Sequence, residues 1–376
     1  MAIADLYGKI LAMGAMTIRN HTPIPALVNH TSSEDPTTPK TMGGTVSVIV
    51  PPEYSTRDVT PGSTAPASQG QPNPTTVNVP LDHWKEVNFN LTERDITQME
   101  NNEAYVPMFL SNAAAAIADD VSASIFANYK GVYGFTGTPG TTPFATSTVA
   151  AQDAKKILTE QKCPKLMRHL VLDTDAYANA TGLPAFQSAF NSGDTMTIQE
   201  GEIGRKLGFN WHEDVNAPTH TAGAAAGYLV NQADHAIGDL DVTVDTGTGS
   251  WAVGDIFTVA GDSQTYVVTS SSSTVMNYKP KAKTAFANNA AITKKASHQV
   301  SLAFNPFAMA FVSRPNAQLN LPELRQGKVI GTFVDDMTGV VLKLVIADEY
   351  HQTGFYLSCL WGTQLVDERL ITRIAG

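Results

Sequence analysis

The sequence predicts an α+β chain with a small β-barrel inserted in a mixed domain. Three observations carry this. Two stretches alternating apolar with polar residues, 43–54 and 75–96, flank a long neutral, Pro-rich segment. One Ala-rich run, Val106–Gly131, has helical periodicity. From Ala222 to His298 that periodicity gives way to short β runs punctuated by Gly and Ser.

Taken in order, residues 2–16 put Ile3, Leu6, Tyr7, Ile10 and Leu11 on one helical face. A helix this short is marginal alone in water and needs a surface to dock on, in its own body or in a partner. Val46, Val48 and Val50 alternate in "GGTVSVIVPPEY", as do Val77, Val79 and Leu81, then Val87, Phe89 and Leu91, in "TTVNVPLDHWKEVNFNLTERDI". Together they predict a long hairpin. Its tip, "TPGSTAPASQGQPNPTT" (Thr60–Thr76), has neither charge nor a large side chain, and no residue from Val59 to Leu81 is charged. Seven of the 21 prolines fall between Pro51 and Pro80, which suits an edge and not a central strand. Arms of about 20 residues reach roughly 60 Å, and such a hairpin is poorly stable unless it lies on another molecule.

The helix that follows opens near Pro107 and stops at Gly131. Leu110, Ala113, Ile117, Val121, Ser124 and Asn128 share a face, and Ala114–Ala116 keep it slim. It runs roughly 36 Å and reads as a spine. A turn-rich link, 131–144, leads to mixed α/β: a helix in "AAQDAKKILTEQ", a strand in "RHLVLD", a helix in "TDAYANAT", and a strand around Phe209 and Trp211. The β runs "LDVTVD", "DIFTVAG", "QTYVVTS" and "TVMNYK" then predict the barrel. Its acids (Asp234, Asp239, Asp241, Asp245, Asp255, Asp262) precede its lysines (Lys279, Lys281, Lys283, Lys294, Lys295); complementary patches across an interface are one reading, and pairing inside the barrel is the simpler one. After "VSLAFNPFAMAFVS", the runs "TGVVLKLVIADEY", "GFYLSCLWG" and "QLVDERLITRIAG" predict an antiparallel meander.

The totals bound the function. A chain of 376 residues allows two or three domains. Its net charge of −10, from 25 basic and 35 acidic residues, argues against nucleic-acid binding as its main business. Two cysteines, Cys163 and Cys359, make neither a disulfide framework nor a zinc set. Asp5 and Lys9 interrupt any signal-peptide pattern, and no apolar run reaches the roughly 18 residues of a membrane helix. The expectation is a chain made and folded in a cytoplasm, where the sequons at Asn20, Asn29, Asn90 and Asn179 carry no meaning.

Chemical signatures do not converge. His212 and His220 stand eight residues apart, not the four of a zinc-binding helix. With Glu213 and Asp214 they read as strand or loop surface. Asp239, Asp241 and Asp245 lack the Gly and terminal Glu of a calcium loop. Asp335 and Asp336 read as a turn. "GFTGTPG" lacks a phosphate loop's Gly-Lys-Ser/Thr ending. Lys279, Lys281 and Lys283 have only Tyr278 and Phe286 as aromatic neighbours, too few for a nucleic-acid groove. No catalytic, cofactor or metal residue is assigned.

The order of parts, with "GGTVSVIVPPEYSTRDVTPG", "LDHWKEVNFNLTERDI", "KILTEQKCPKLMRHLVLDTDAYA", "EGEIGRKLGFNWHEDV", "VGDIFTVAG" and "TGVVLKLVIADEY", resembles the major capsid proteins of tailed bacteriophages. These have the Hong Kong 97-like fold, and the likeness is to the branch with an inserted β-barrel domain. It covers essentially the whole chain. It implies an N-terminal arm (1–42), an extended E-loop hairpin (43–94), a peripheral domain with the spine helix (95–145 and 313–376), an axial domain (146–221 and 299–312) and the inserted domain (222–298). It further implies self-assembly as pentamers and hexamers into an icosahedral shell enclosing double-stranded DNA without sequence-specific binding. Implied partners are a scaffolding protein, a portal protein and a decoration protein. The implied location is the virion, after assembly in the host bacterial cytoplasm, with no membrane, cofactor or enzymatic activity. Some relatives weld their shells through a lysine in the E-loop. Here no Lys lies between Lys40 and Lys85, so a non-covalent shell is expected. Two other classes remain open. The long helix and central α/β domain speak against an accessory tail or decoration component. An enzyme would need a dispersed site, for instance around His212 and Asp214.

Overall fold

The structure, a computed structural model, describes residues 14, 16–19, 21–31, 34–50, 56, 58, 75–92, 94, 105–188, 190, 193, 196–272, 274–317 and 328–376. The hairpin tip and, apart from Gly14 and Met16, the expected helix over 2–16 lie outside the described residues, save for the tip's last two residues.

A one-turn helix α1 (Ile24–Leu27) precedes strands β1 (Thr45–Val50), β2 (Thr75–Pro80) and β3 (His83–Thr92). The spine helix α2 (Tyr105–Phe126) ends in a 3-10 turn, Ala127–Gly131, and β4 (Phe135–Gly137) follows. The central region alternates: α3 (Val149–Glu160), β5 (His169–Leu172), α4 (Thr174–Thr181), α5 (Pro184–Gln187), α6 (Met196–Glu200), β6 (Arg205–Lys206), β7 (Phe209–Glu213) and β8 (Thr219–His220). The insert contributes β9 (Leu229–Val230), β10 (Asp241–Asp245), β11 (Ile256–Val259), β12 (Tyr266–Ser271), β13 (Val275–Lys279) and β14 (Ile292–Lys294). The chain closes with β15 (His298–Phe304), β16 (Met309–Arg314), β17 (Lys328–Val334), β18 (Val341–Glu349), β19 (Gln352–Leu365) and β20 (Ile371–Ala375).

These strands form an α+β architecture of two body sheets, an insert sheet and a ribbon. The central sheet runs β4-β20-β15-β5-β7-β6, with β8 on β15. The outer sheet runs β16-β19-β18-β17, with β3 on β19. Strand alternation sorts the central sheet's side chains between two cores. Val171, Val300, Leu302 and Ile371 pack with the buried stripe of α2, Ala114, Ile117, Val121 and Ile125. Leu170, Leu172, Ala303 and Ile374 face α3 and α4. The outer sheet gives Leu342, Leu344, Leu357 and Trp361 to the α2 core. The spine helix therefore touches both body sheets, and its alanines allow that approach.

Several expected boundaries move. The second hairpin arm is not one strand. β2 pairs with β1 from Thr45↔Pro80 to Val50↔Thr75. The chain then turns at Leu81 and Asp82, and β3 pairs along its whole length with β19. Pro80 has no N–H to continue the ribbon ladder, while Phe89 stacks on Phe355 with centroids 5.1 Å apart. Residues 83–92 thus belong to the outer sheet. The C-terminus departs too: β20 leaves the meander and enters the central sheet between β15 and β4. This also draws residues 135–137 out of the expected peripheral segment. The crossing back occurs at 305–308, so β16 from Met309 already lies in the outer sheet.

The insert's order is β14-β11-β12-β13-β10-β9. Its end strands meet through an antiparallel Leu229–Ala291 bridge, with Ile292 N donating to Tyr228 O at 3.1 Å and Val230 N to Ala290 O at 3.0 Å. Phe257, Tyr266, Tyr278 and Phe286 fill its separate core. Its charges do not pair as expected. Among the described residues no ion pair joins the insert's aspartates to its lysines; Asp255 instead bonds His220, and Lys279 bonds Glu368 at 3.0 Å. Both partners lie on the body.

Candidate functional site

Three seams hold the excursions of the chain to its body. The first is the ribbon root. Alternation turns Val46, Val48, Val79 and Leu81 inward onto Ala310, Val312 and Leu360, while Ile49 stays exposed. Burying each such side chain stabilises by about 1.5–3 kcal/mol. Gly43 N donates to Leu81 O, and Leu81 N to Gly44 O, both at 2.8 Å; Gly43 takes φ +84° to make that turn. Gly362 admits the ribbon closely, because a Cβ there would stand 1.9 Å from Pro80 O.

The second seam fastens residues 19–40. Arg19 Nε donates to both carboxylate oxygens of Asp335, at 3.1 and 3.0 Å. Asp335 also accepts from Thr338 Oγ1 at 2.6 Å and Met337 N at 3.3 Å. Burial would raise its pKa, but these bonds outweigh burial and hold the carboxyl below its usual range. The expected turn is there, between β17 and β18, but Asp335 is a buried anchor within it. Buried Arg314 holds Glu34 O at 3.1 Å, and Lys40 bridges to the chain after β16.

The third seam joins insert to body and is polar. Tyr129 OH donates to His220 Nδ1 at 3.1 Å, and His220 Nε2 to Asp255 Oδ1 at 2.9 Å. Asp255 also accepts from Ala252 N at 2.8 Å and Gly223 N at 3.2 Å. Burial opposes its ionisation, but these donors prevail and its pKa is lowered. Fully buried Arg373 donates from Nε to Val132 O at 3.0 Å and lies over the Tyr129 ring at 5.1 Å. Burial lowers its pKa to about 9. His298 donates from Nδ1 to Ala296 O at 2.8 Å, and burial pushes its pKa down to about 4. Around this network Tyr133, Phe135 and Ala375 pack on Ile256 and Val267, and Thr265 Oγ1 donates to Tyr133 O at 2.7 Å. Beside it lies a cleft of ≈ 590 Å³, whose walls include Val50 and Val77 of the ribbon, Lys130 after α2, Lys279 of the insert and Glu368.

The residues read from sequence as a chemical group are dispersed. Asp214 accepts from Ser122 Oγ at 2.8 Å and ties α2 to the central sheet; His220 sits in the insert seam. Both are buried, not on the expected surface, because each meets a partner contributed by a remote segment. His212 Nε2 lies 3.3 Å from His169 Nδ1. Burial lowers both pKa values, that of His169 to about 4. This pair borders a cleft of ≈ 610 Å³ with Tyr177, Glu202 and Arg205. Among the described residues no three His, Cys, Asp or Glu side chains group to hold a metal ion, and no helix is long and apolar enough to cross a membrane. Cys163 and Cys359 are buried free thiols. Sequence reasoning missed Arg373 and Tyr129. The one available signal was a lone Arg inside the apolar run "LITRIA".

No protein-family model matches the chain, and no curated protein does. Among solved structures the chain is similar to one of Mycobacterium phage Che8, at 15% identity and TM-score 0.44, covering 93% of this chain and 89% of that one. It is similar to the capsid of the cyanophage P-SCSP1u, at 13% identity and TM-score 0.43, covering 92% and 88%. It is also similar to the capsid of an empty GTA particle, at 10% identity and TM-score 0.45, covering 96% and 89%.

Proposed function

We propose that this chain is the major capsid protein of a tailed bacteriophage. It assembles as pentamers and hexamers into an icosahedral shell around double-stranded DNA, and its role is mechanical, not catalytic. The observation that carries this reading is the ribbon. β1 and β2 are rooted by a small apolar cluster and lead into a segment whose composition offers no core. Such an excursion gains stability by lying on another copy. The spine helix beneath two sheets supplies the rigid body that a clasp needs, and the fastened residues 19–40 supply a second strap. In this reading the arm is 1–42, the E-loop is 43–82, and 222–298 is an inserted β-barrel. The outer sheet with α2 forms the peripheral domain, and the central sheet with α3 and α4 the axial domain. Scaffolding, portal and decoration proteins are the proposed partners, the virion the proposed location, and the host cytoplasm the place of assembly. Simultaneous weak contacts multiply through effective concentration, so each can tolerate small changes of angle.

Negative-stain microscopy of the purified chain, with and without a scaffolding protein, tests the reading: rings or closed shells are expected, and a persistent monomer refutes it. The missing lysine between Lys40 and Lys85 predicts a shell without a covalent weld from the hairpin tip. Mature particles should run as single subunits on a denaturing gel, and a ladder of linked subunits would contradict this.

A further inference from the structure

Two surfaces of the central region expose large apolar side chains beside charges of opposite sign. The first is the loop between α3 and β5. Leu166 is 70% exposed and Met167 58%, and Lys162 and Lys165 stand exposed beside them. This exposure is built. Buried Arg168 donates to Pro164 O at 2.8 Å and Cys163 O at 2.6 Å, and Asn305 Nδ2 donates to Leu166 O at 3.0 Å. Lys162 and Met167 both hold positive φ, 62° and 57°, a strained conformation for these residues. A strained loop, pinned from within so that it presents apolar and basic groups, fits recognition better than chance exposure does. The charge is local: residues 155–168 hold five basic residues and one acid, in a chain of net charge −10.

The second surface surrounds α6. Ile198 is 64% exposed, with Glu200 and Glu202 exposed beside it. Its backbone is likewise pinned: Tyr177 OH donates to Gly201 O at 3.3 Å and accepts from Ile203 N at 3.4 Å. Among the described residues Lys162, Lys165, Glu200 and Glu202 make no ion pair with one another or with other side chains.

We infer that these surfaces meet between copies of the chain, the 162–167 loop of one subunit seating on Ile198, Glu200 and Glu202 of the next. The contact rests on the shell-protein reading and adds a specific pairing to it. Its two halves are different surfaces of one subunit, so it is heterologous. It runs head to tail and closes into a ring when the rotation permits. Apolar side chains supply the buried area, and the flanking charges set register and suppress wrong pairings.

Charge reversal tests it by mass photometry of the full chain at low and high salt, with circular dichroism as a folding control. Lys162→Glu with Lys165→Glu should lower the assembled fraction by about tenfold or more, and Glu200→Lys with Glu202→Lys should do the same. All four changes together should restore assembly, which no effect on folding alone would produce. If the wild type assembles and the reversals do nothing, or the fourfold variant stays dissociated, the contact is wrong while the shell reading stands. Intact assembly with weakened double-stranded DNA binding would assign the loop to the cargo and likewise overturn the contact. A wild type that never assembles overturns the shell reading and the contact with it.

Discussion

The insert and the ribbon are both excursions from the body, yet they are stabilised in opposite ways. The insert owns a core: Phe257 packs among Trp251, Tyr266 and Tyr278 with ring centroids 5.6–5.8 Å apart, and the sheet's ends are bonded together. The ribbon owns none and borrows Ala310, Val312 and Leu360 from the body. The attachments differ as well. The ribbon root is aliphatic, and its burial is non-directional. The insert seam is a buried hydrogen-bond network around Asp255 and Arg373, which has one good geometry and fails steeply when a member is lost. A self-supporting module can be locked in place by polar contacts. A strap without a core has to borrow one, here from Ala310, Val312 and Leu360 of the body.

The sharpest break in that contrast is Phe257→Ala. Emptying the insert core should cost about 3–5 kcal/mol and fall on the insert alone. Hydrogen exchange should show lost protection over 222–298 while α2 and the central sheet keep theirs; global unfolding in one step would show that the insert is not a unit. Asp255→Ala comes next, at about 3 kcal/mol. It strands the N–H groups of Gly223 and Ala252 and removes a carboxylate whose charge favours the buried Arg373 guanidinium. Here the insert should keep its internal protection and lose that of the seam, including Thr265 and Tyr133.

How much of this contrast was legible in the sequence follows from what alternation encodes. Hydrophobic periodicity reports which face a residue occupies, and so β1, β2, α2 and the insert strands β10 to β13 could be read directly, while the short β9 and β14 could not. It does not report which strand lies alongside. Leu81 and Asp82 continue the rhythm of "NVPLDHWKEV" while the chain changes sheets, and Ile371 and Ile374 look like more meander although β20 crosses to the central sheet. Polar residues were harder. His220 and Asp214 read as surface because their partners, Tyr129 with Asp255 and Ser122 with Asn216, come from segments 35–92 residues away or from a local turn. A buried polar side chain is identified by its partners, and spacing does not supply them.

Acid should separate the two attachments by a smaller amount. His298 and His169 titrate near 4 in the folded chain, against an ordinary value of 6.5. Between those pH values the unfolded chain binds protons that the folded chain does not, so stability falls as pH drops from about 6.5 toward 4. Asp255, whose pKa is lowered, adds its loss at still lower pH. The buried side chains at the ribbon root are aliphatic, with the Asp82–His83 pair lying beside them at the surface. Hydrogen exchange across this window should therefore open the seam before the ribbon. His298→Asn, which can keep the donor to Ala296 O, should flatten the pH slope of the melting temperature. An unchanged slope would remove His298 from the account.

Deleting Gly62–Asn73 should change the isolated subunit least. The segment carries no charge, no aromatic and no long aliphatic side chain, so its removal takes no core with it. Closing a shorter loop also costs the folded state slightly less, by a few tenths of a kcal/mol. The melting temperature should stay within about a degree or two of the parent. If the strap is completed by a neighbour, the whole cost appears at assembly: the shortened subunit should form few or unstable shells under conditions where the parent closes. This experiment separates a clasp from a linker, because the two readings agree about the monomer and disagree only about the shell. Normal shells from the shortened chain would mean that the seams among residues 19–40, the insert and the surfaces of the central region suffice, and that the ribbon ends where its root does.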